Sequence, residues 1–304
     1  MRKEMVLLAV LAVATGAAAD SPTNPPSLGP PPSDAEDIRR IFLRQSSMVL
    51  RPGLYEMETG VSYSREEREL SYTASDVYRQ FSFPFTIRAG LFPRVEAFLA
   101  MPMAYAYRKI SDGATVRSDD VFGFGDTTGG LSVQLKQRSE SWPDIVGSAS
   151  VTAPTGDDPY DSDSLGLGLG SGFWKTAATL QFVSISDPLV LFWGFGYSHA
   201  FEETFSGVEY QPGDTISYNF GFAFAVNPDV SLNTQFLGSY VGHTEKDGEV
   251  GVTAFSSEPM SLRVGLTRRW KPDAYLEPYV EFGLNDDATD AMVGLALLNR
   301  FGGR

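Results

Sequence analysis

The chain has 304 residues, a net charge of −14, no cysteine, 12% aromatic residues and 30 glycines. The acidic balance excludes nucleic acid as a partner, because phosphate binding needs clustered Lys and Arg. Without cysteine there is no disulfide framework, and no segment beyond the N-terminus offers the ~20 apolar residues of a transmembrane helix. If this chain enters a membrane it does so as strands, held by a closed hydrogen-bonded sheet.

In chain order, residues 1–19 read as a secretory signal peptide. Arg2 and Lys3 are its basic start, 5–14 its apolar run, and Ala17-Ala18-Ala19 its small-residue cleavage site. Residues 20–33 are a proline-rich linker with no capacity to pack a core. Ser33 and Glu36 then stand at capping-box spacing. The periodicity of Ile38, Ile41 and Phe42 predicts a short amphipathic helix within residues 34–48, which also carries Arg39, Arg40 and Arg44.

From residue 53 to 304 the pattern predicts an all-β fold: one closed antiparallel transmembrane β-barrel of about 12 strands. The strands are expected at 54–64, 76–89, 94–107, 124–137, 144–153, 171–184, 188–202, 214–226, 229–242, 259–270, 275–284 and 291–301. Short connections rich in Pro and Asp alternate with longer ones at 65–75, 108–123, 154–170, 203–213, 243–258 and 285–290. Periplasmic turns and extracellular loops of an outer-membrane barrel alternate in this way. The clearest strand is Thr215–Val226. Ile216, Tyr218, Phe220, Phe222, Phe224 and Val226 share one face, and small or weakly polar residues share the other. A soluble sandwich would carry solvated charges opposite its core face, whereas a barrel needs a large apolar face toward lipid.

If the large faces meet lipid, the opposite parity lists the interior. It contains Glu56, Glu58, Arg88, Glu96, Lys136, Lys175, Arg263, Arg269, Glu277, Glu281 and Arg300. These charges are expected either to line a pore or to brace the wall, since Lys or Arg at mid-depth on the lipid face costs about 2–4 kcal/mol. The acidic run 155–164 lacks the regular spacing of a calcium loop and reads as a solvated extracellular loop. Gly123-Phe-Gly-Asp126 and Leu165-Gly-Leu-Gly-Leu-Gly170 read as glycine-rich strand edges. His199 reads as a girdle residue, and His243 with Asp247 and Ser239 lacks a nucleophile motif. No enzyme, metal or cofactor is expected.

Leu50-Arg-Pro-Gly-Leu-Tyr-Glu-Met-Glu58 followed by Val61-Ser-Tyr-Ser64 resembles the first strand of the meta-pathway phenol-degradation, or transporter-like, outer-membrane barrels. Gly125-Asp126, Ala153-Pro-Thr-Gly-Asp157 and Asp187-Pro188 are similar to recurring elements of that group. The helical stretch Asp37-Ile-Arg-Arg-Ile-Phe-Leu-Arg-Gln45 also resembles the lead-in of functional-amyloid secretion barrels. That likeness implies a twelve-stranded pore with a helix plugging it. The expectation is a bacterial outer-membrane channel for a hydrophobic compound, small solute or secreted polypeptide, gated by the N-terminal helix. Outer-membrane lipid is the expected surrounding partner. The competing expectation is a structural or adhesive barrel with acidic extracellular loops.

Overall fold

A computed structural model of the protein describes residues 49–71, 74–111, 114–139, 142–160, 165–186, 188–250 and 256–302. The expected signal peptide, linker and amphipathic helix with Ile38, Arg39, Arg40, Ile41, Phe42 and Arg44 lie outside these residues.

Fifteen strand segments form one sheet that closes on itself by pairing its last segment with its first. Three neighbouring pairs of segments are single strands interrupted at Pro84, at Met101-Pro102 and at Gly125-Asp126. Among the described residues the wall therefore has twelve antiparallel strands. In order they are Leu54–Ser71; 74–92; 95–111; 116–136; Asp144–Ala153; Lys175–Ser186; Leu189–Ala200; Thr215–Asn227; Val230–Val241; Met260–Lys271; Ala274–Gly283; and Ala291–Gly302. The first and twelfth strands seal the cylinder from Leu54↔Gly302 to Arg65↔Ala291. Closure matters because an open edge would leave backbone N–H and C=O groups unpaired in hydrocarbon.

Alternation decides which way each strand faces. In the eighth strand Ile216, Phe220, Phe224 and Val226 are 42–57% exposed while Gly221 and Ala223 are buried. The same outward belt continues through Leu99, Leu131, Phe195, Leu266, Val293 and Leu295 on other strands. In water so large an apolar belt would aggregate; against acyl chains it is satisfied. At about 3.4 Å per residue and a tilt of about 40°, thirteen residues cover an apolar band of about 25 Å.

Several wall positions pair a flat ring with a missing side chain. Phe192 lies along the inner wall over Gly221, where a Cβ would collide with the ring. Tyr279 covers Gly294 and Phe98 covers Gly130 in the same way. Glycine here admits close packing of rings that are held parallel to the wall.

Two expected loops are strand instead. The first hairpin stays paired up to Ser71↔Ala74, and the third and fourth strands up to Ser111↔Val116. Both faces of these extensions are polar, so the alternation that marks a half-buried strand is absent while backbone pairing continues. The expected loops 203–213 and 243–258 hold a four-stranded outer sheet made of Glu203–Phe205, Val208–Gln211, Glu245–Lys246 and Glu249–Val250. Its two hairpins turn at Ser206-Gly207 (φ 52° and 82°) and Asp247-Gly248 (φ 52° and 73°). Positive φ at both central residues is the turn that matches strand twist. The stretch 165–170 is not a strand edge. It belongs to a connection that folds against the wall, and the sixth strand starts at Lys175 rather than at 171.

Candidate functional site

The barrel interior carries the chemistry. At its periplasmic end four charges from four strands form one chain of contacts. The Arg88 guanidinium donates to Glu96 (2.5 and 3.1 Å) and to Glu56 (3.0 Å). Arg300 donates to the other oxygen of Glu56 at 2.8 and 3.2 Å. Glu56, Arg88 and Glu96 are at most 5% exposed, and two acids balance two bases. Buried charge is tolerated when every lone pair and proton is engaged in this way. One further donor completes the set: the Leu50 backbone N–H, 2.9 Å from Glu96. Leu50 is wholly buried and Val49 nearly so, so these two residues lie inside the wall. Gly90 is required here, because a Cβ would strike the Arg51 and Leu50 carbonyls.

A second polar set follows on the ninth to eleventh strands. Asn233 donates to Thr267, which donates to Glu277, each at 2.7 Å. Higher up, Arg263 donates to Glu281 at 2.8 Å and Ser261 donates to the same carboxylate at 2.7 Å. The Arg263 guanidinium also lies 4.7 Å from the centroid of the Tyr279 ring. Arg269 sits at the periplasmic rim, bonded to Asp229 of the neighbouring turn. Glu58 holds the inward parity of the first strand, and Lys175 pairs in register with Thr152 near the extracellular end.

Lys136 departs from the expected inward position. A register shift between Gln134 and Lys136 sets it opposite Ile145, whose parity is outward. Its ammonium rests 3.7 Å from the centroid of the Trp142 ring.

Facing the charged sector is an apolar one that an inventory of charges misses. Val183, Val190, Phe192 and Ala223 form a buried cluster on the sixth to eighth strands, with Ile185 and Ala225 packed against it. Val146 of the fifth strand is also buried. All hold inward parity. The inner wall therefore carries an apolar patch on this side, bordered by the buried Asp144 and Gln181, and a salt-bridged sector on the other.

At the extracellular end the described residues of the connection between the fifth and sixth strands are bonded to the wall. Asp126, at the break in the fourth strand, accepts from Ser171 N–H (2.7 Å), Ser171 Oγ (2.6 Å) and Gly156 N–H (3.3 Å). Arg108 forms a two-pronged pair with Asp76 (2.8 and 3.1 Å) and donates to the Leu165 carbonyl at 2.5 Å. Leu167 and Phe173 of this connection are buried. Tyr160 stacks on Phe205 at 4.4 Å and contacts Phe173 and Tyr210, tying the connection to the outer sheet. Burial among these rings pushes the Tyr160 phenol up to about 12. Charge parity alone did not select Asp76, Arg108, Asp126 and Ser171. The one sequence signal was the Gly125-Asp126 pair.

His199 sits on the outer face with Tyr197, and both bond to Asp214 at 2.7 Å. Those hydrogen bonds, Tyr197 first, hold the Asp214 carboxyl below the usual range. His243 is exposed, while Asp247 accepts from Glu209 N–H and Ser239 is buried on the inner wall. The three do not converge.

A closed barrel with a lipid-facing belt, short periplasmic turns and an internal salt-bridged wall defines an outer-membrane β-barrel protein. Residues 50–301 match the model of the family described as MetA-pathway of phenol degradation, and the chain belongs to that family. Its fold is similar to that of the COG4313 outer membrane channel from Pseudomonas putida F1. The TM-score is 0.67 at 16% identity, over 83% of this chain and 97% of that one. The translocator domain of the autotransporter NalP from Neisseria meningitidis matches with a TM-score of 0.47 at 11% identity, over 83% of this chain and 90% of that one. The CymD monoaromatic hydrocarbon channel gives 0.42 at 7% identity, over 84% and 90%.

Proposed function

We propose that the chain is an outer-membrane channel for hydrophobic compounds, with no catalytic role. The observation that carries this reading is the apolar patch on the inner wall, Val146, Val183, Val190, Phe192 and Ala223. A general porin lines its bore with polar groups that hold water. An apolar strip favours a ligand that gives up its own water on entry. The family's description and the Pseudomonas putida structure, an outer membrane channel, favour the same reading.

The charged sector has a different task in this scheme. Glu56, Arg88, Glu96 and Arg300 brace the wall and seat the segment that leads into it, since Leu50 bonds to Glu96. Residues 34–48 then act as a plug, with Ile38, Ile41 and Phe42 against the apolar wall and Arg39, Arg40 and Arg44 toward interior carboxylates such as Glu58, Glu277 and Glu281. Exchanging Arg40 and Arg44 for Glu raises conductance under this scheme, and unchanged conductance removes the gating role.

The transport reading is tested by uptake of a radiolabelled hydrophobic aromatic compound into porin-poor cells. The wild-type chain raises uptake over an empty vector, and V183N/F192N, judged folded by heat-shifted gel migration, abolishes the gain. Equal uptake by variant and wild type contradicts it.

A further inference from the structure

The outward turn of Lys136 builds a site on the lipid side of the wall. The register slip after Gln134 carries Lys136 to the outer face at the periplasmic end. There it lies over Trp142, which is 56% exposed. Trp142 and Trp193 border an open cavity of about 510 Å³ that Arg138 and Ser139 also line, at the hairpin joining the fourth and fifth strands. Trp193 is held in place by stacking on Phe182, with ring centroids 5.6 Å apart and planes 4° apart. The hairpin's buried acid, Asp144, takes its hydrogen bonds from Gln134 Nε2 and Arg138 N–H. It holds the inward parity of its strand, on the other side of the wall from Lys136.

We propose that this cavity is a phospholipid site of the periplasmic leaflet, taking the phosphodiester of an anionic headgroup between Lys136 and Arg138, with an acyl chain along Trp193. Three features converge on that ligand. One cation, Arg138, lines the cavity and a second, Lys136, lies over its Trp142 ring, at the periplasmic end where a lipid-facing Lys is tolerated. Tryptophans border the cavity, and such rings favour the boundary between chain and headgroup. Ser184 and Trp193 bring the cavity to the lipid-facing side, with Ile185 of the inner cluster at its edge, so a lipid reaches it by lateral diffusion. A phosphate contact also gives a reason for the register slip, which moves Lys136 from the interior to the rim.

The test is native mass spectrometry of the folded full chain titrated with phosphatidylglycerol or phosphatidylethanolamine. The wild type retains phosphatidylglycerol several-fold better, and K136Q/R138Q, folded by heat-shifted gel migration, loses that preference. Fluorescence quenching by phosphatidylglycerol with brominated chains gives an independent reading. Quenching saturates at lower lipid ratio than with the ethanolamine lipid, and W193F removes most of it. Equal retention of both lipids by the wild type, an unchanged preference in the folded double variant, or quenching that ignores headgroup and W193F would each overturn the proposal.

Discussion

Single residues in this barrel act mainly through parity and pairing. Arg88 illustrates the stakes, since it links Glu56 to Glu96 inside the wall. Arg88→Met leaves two buried carboxylates short of their main partner. Removing one member of a buried pair costs about 3–5 kcal/mol, to be read as a lower urea midpoint with intact strand content by circular dichroism. Asp214 is the pH-sensitive counterpart at the outer rim. Its folded pKa is depressed by Tyr197 and His199, so the contribution of this contact is present above the unfolded carboxylate value of about 3.9. It is lost as pH falls through the folded value. Hydrogen exchange in 201–214 should therefore quicken at the acid end of that window, and D214N should show the fast exchange at neutral pH. Identical exchange in variant and wild type would deny Asp214 an anchoring role. Most of this chemistry was legible as parity, because a charge on a strand whose other face is large and apolar has only one place to go. Lys136 broke the rule, since one extra residue in a ladder reverses every face beyond it, and no residue type announces the slip.

At the scale of elements, the connection between the fifth and sixth strands is the part most worth perturbing. Its anchor is Asp126, reached by Ser171 and Gly156. Asp126→Leu removes the acceptor, and each lost hydrogen bond to a charged group is worth roughly 1.5–3 kcal/mol. The expected result is a freed connection and larger, noisier single-channel currents; currents unchanged in size and noise would show that the connection does not limit the current. The twelve strands themselves were readable from alternation, to within a few residues at the membrane-spanning stretches. Above the membrane, the reading failed where both faces are wet, as in 65–71 and 116–123, because pairing there leaves no hydrophobic period. The outer sheet had a usable signal, Asp247-Gly248, whose positive φ angles make a two-residue hairpin. Its two-residue arms were too short to register as strands. The apolar inner strip was hidden for a different reason. On the seventh strand Val190 and Phe192 alternate with Leu189, Leu191 and Trp193, so both faces are apolar and periodicity cannot mark the inner one.

The whole molecule is a cylinder whose interior is salt-bridged on one side and carries an apolar patch on the other, with one connection folded over it from above. Val49 and Leu50 are buried at the periplasmic mouth. That arrangement ties the proposed channel to the proposed plug. The most direct measurement is planar-bilayer conductance of the folded chain from residue 20 onward beside the same chain lacking residues 20–48. The account predicts small currents from the first and a large rise on truncation. Silence from both folded barrels would contradict the existence of a channel and favour a structural or adhesive role.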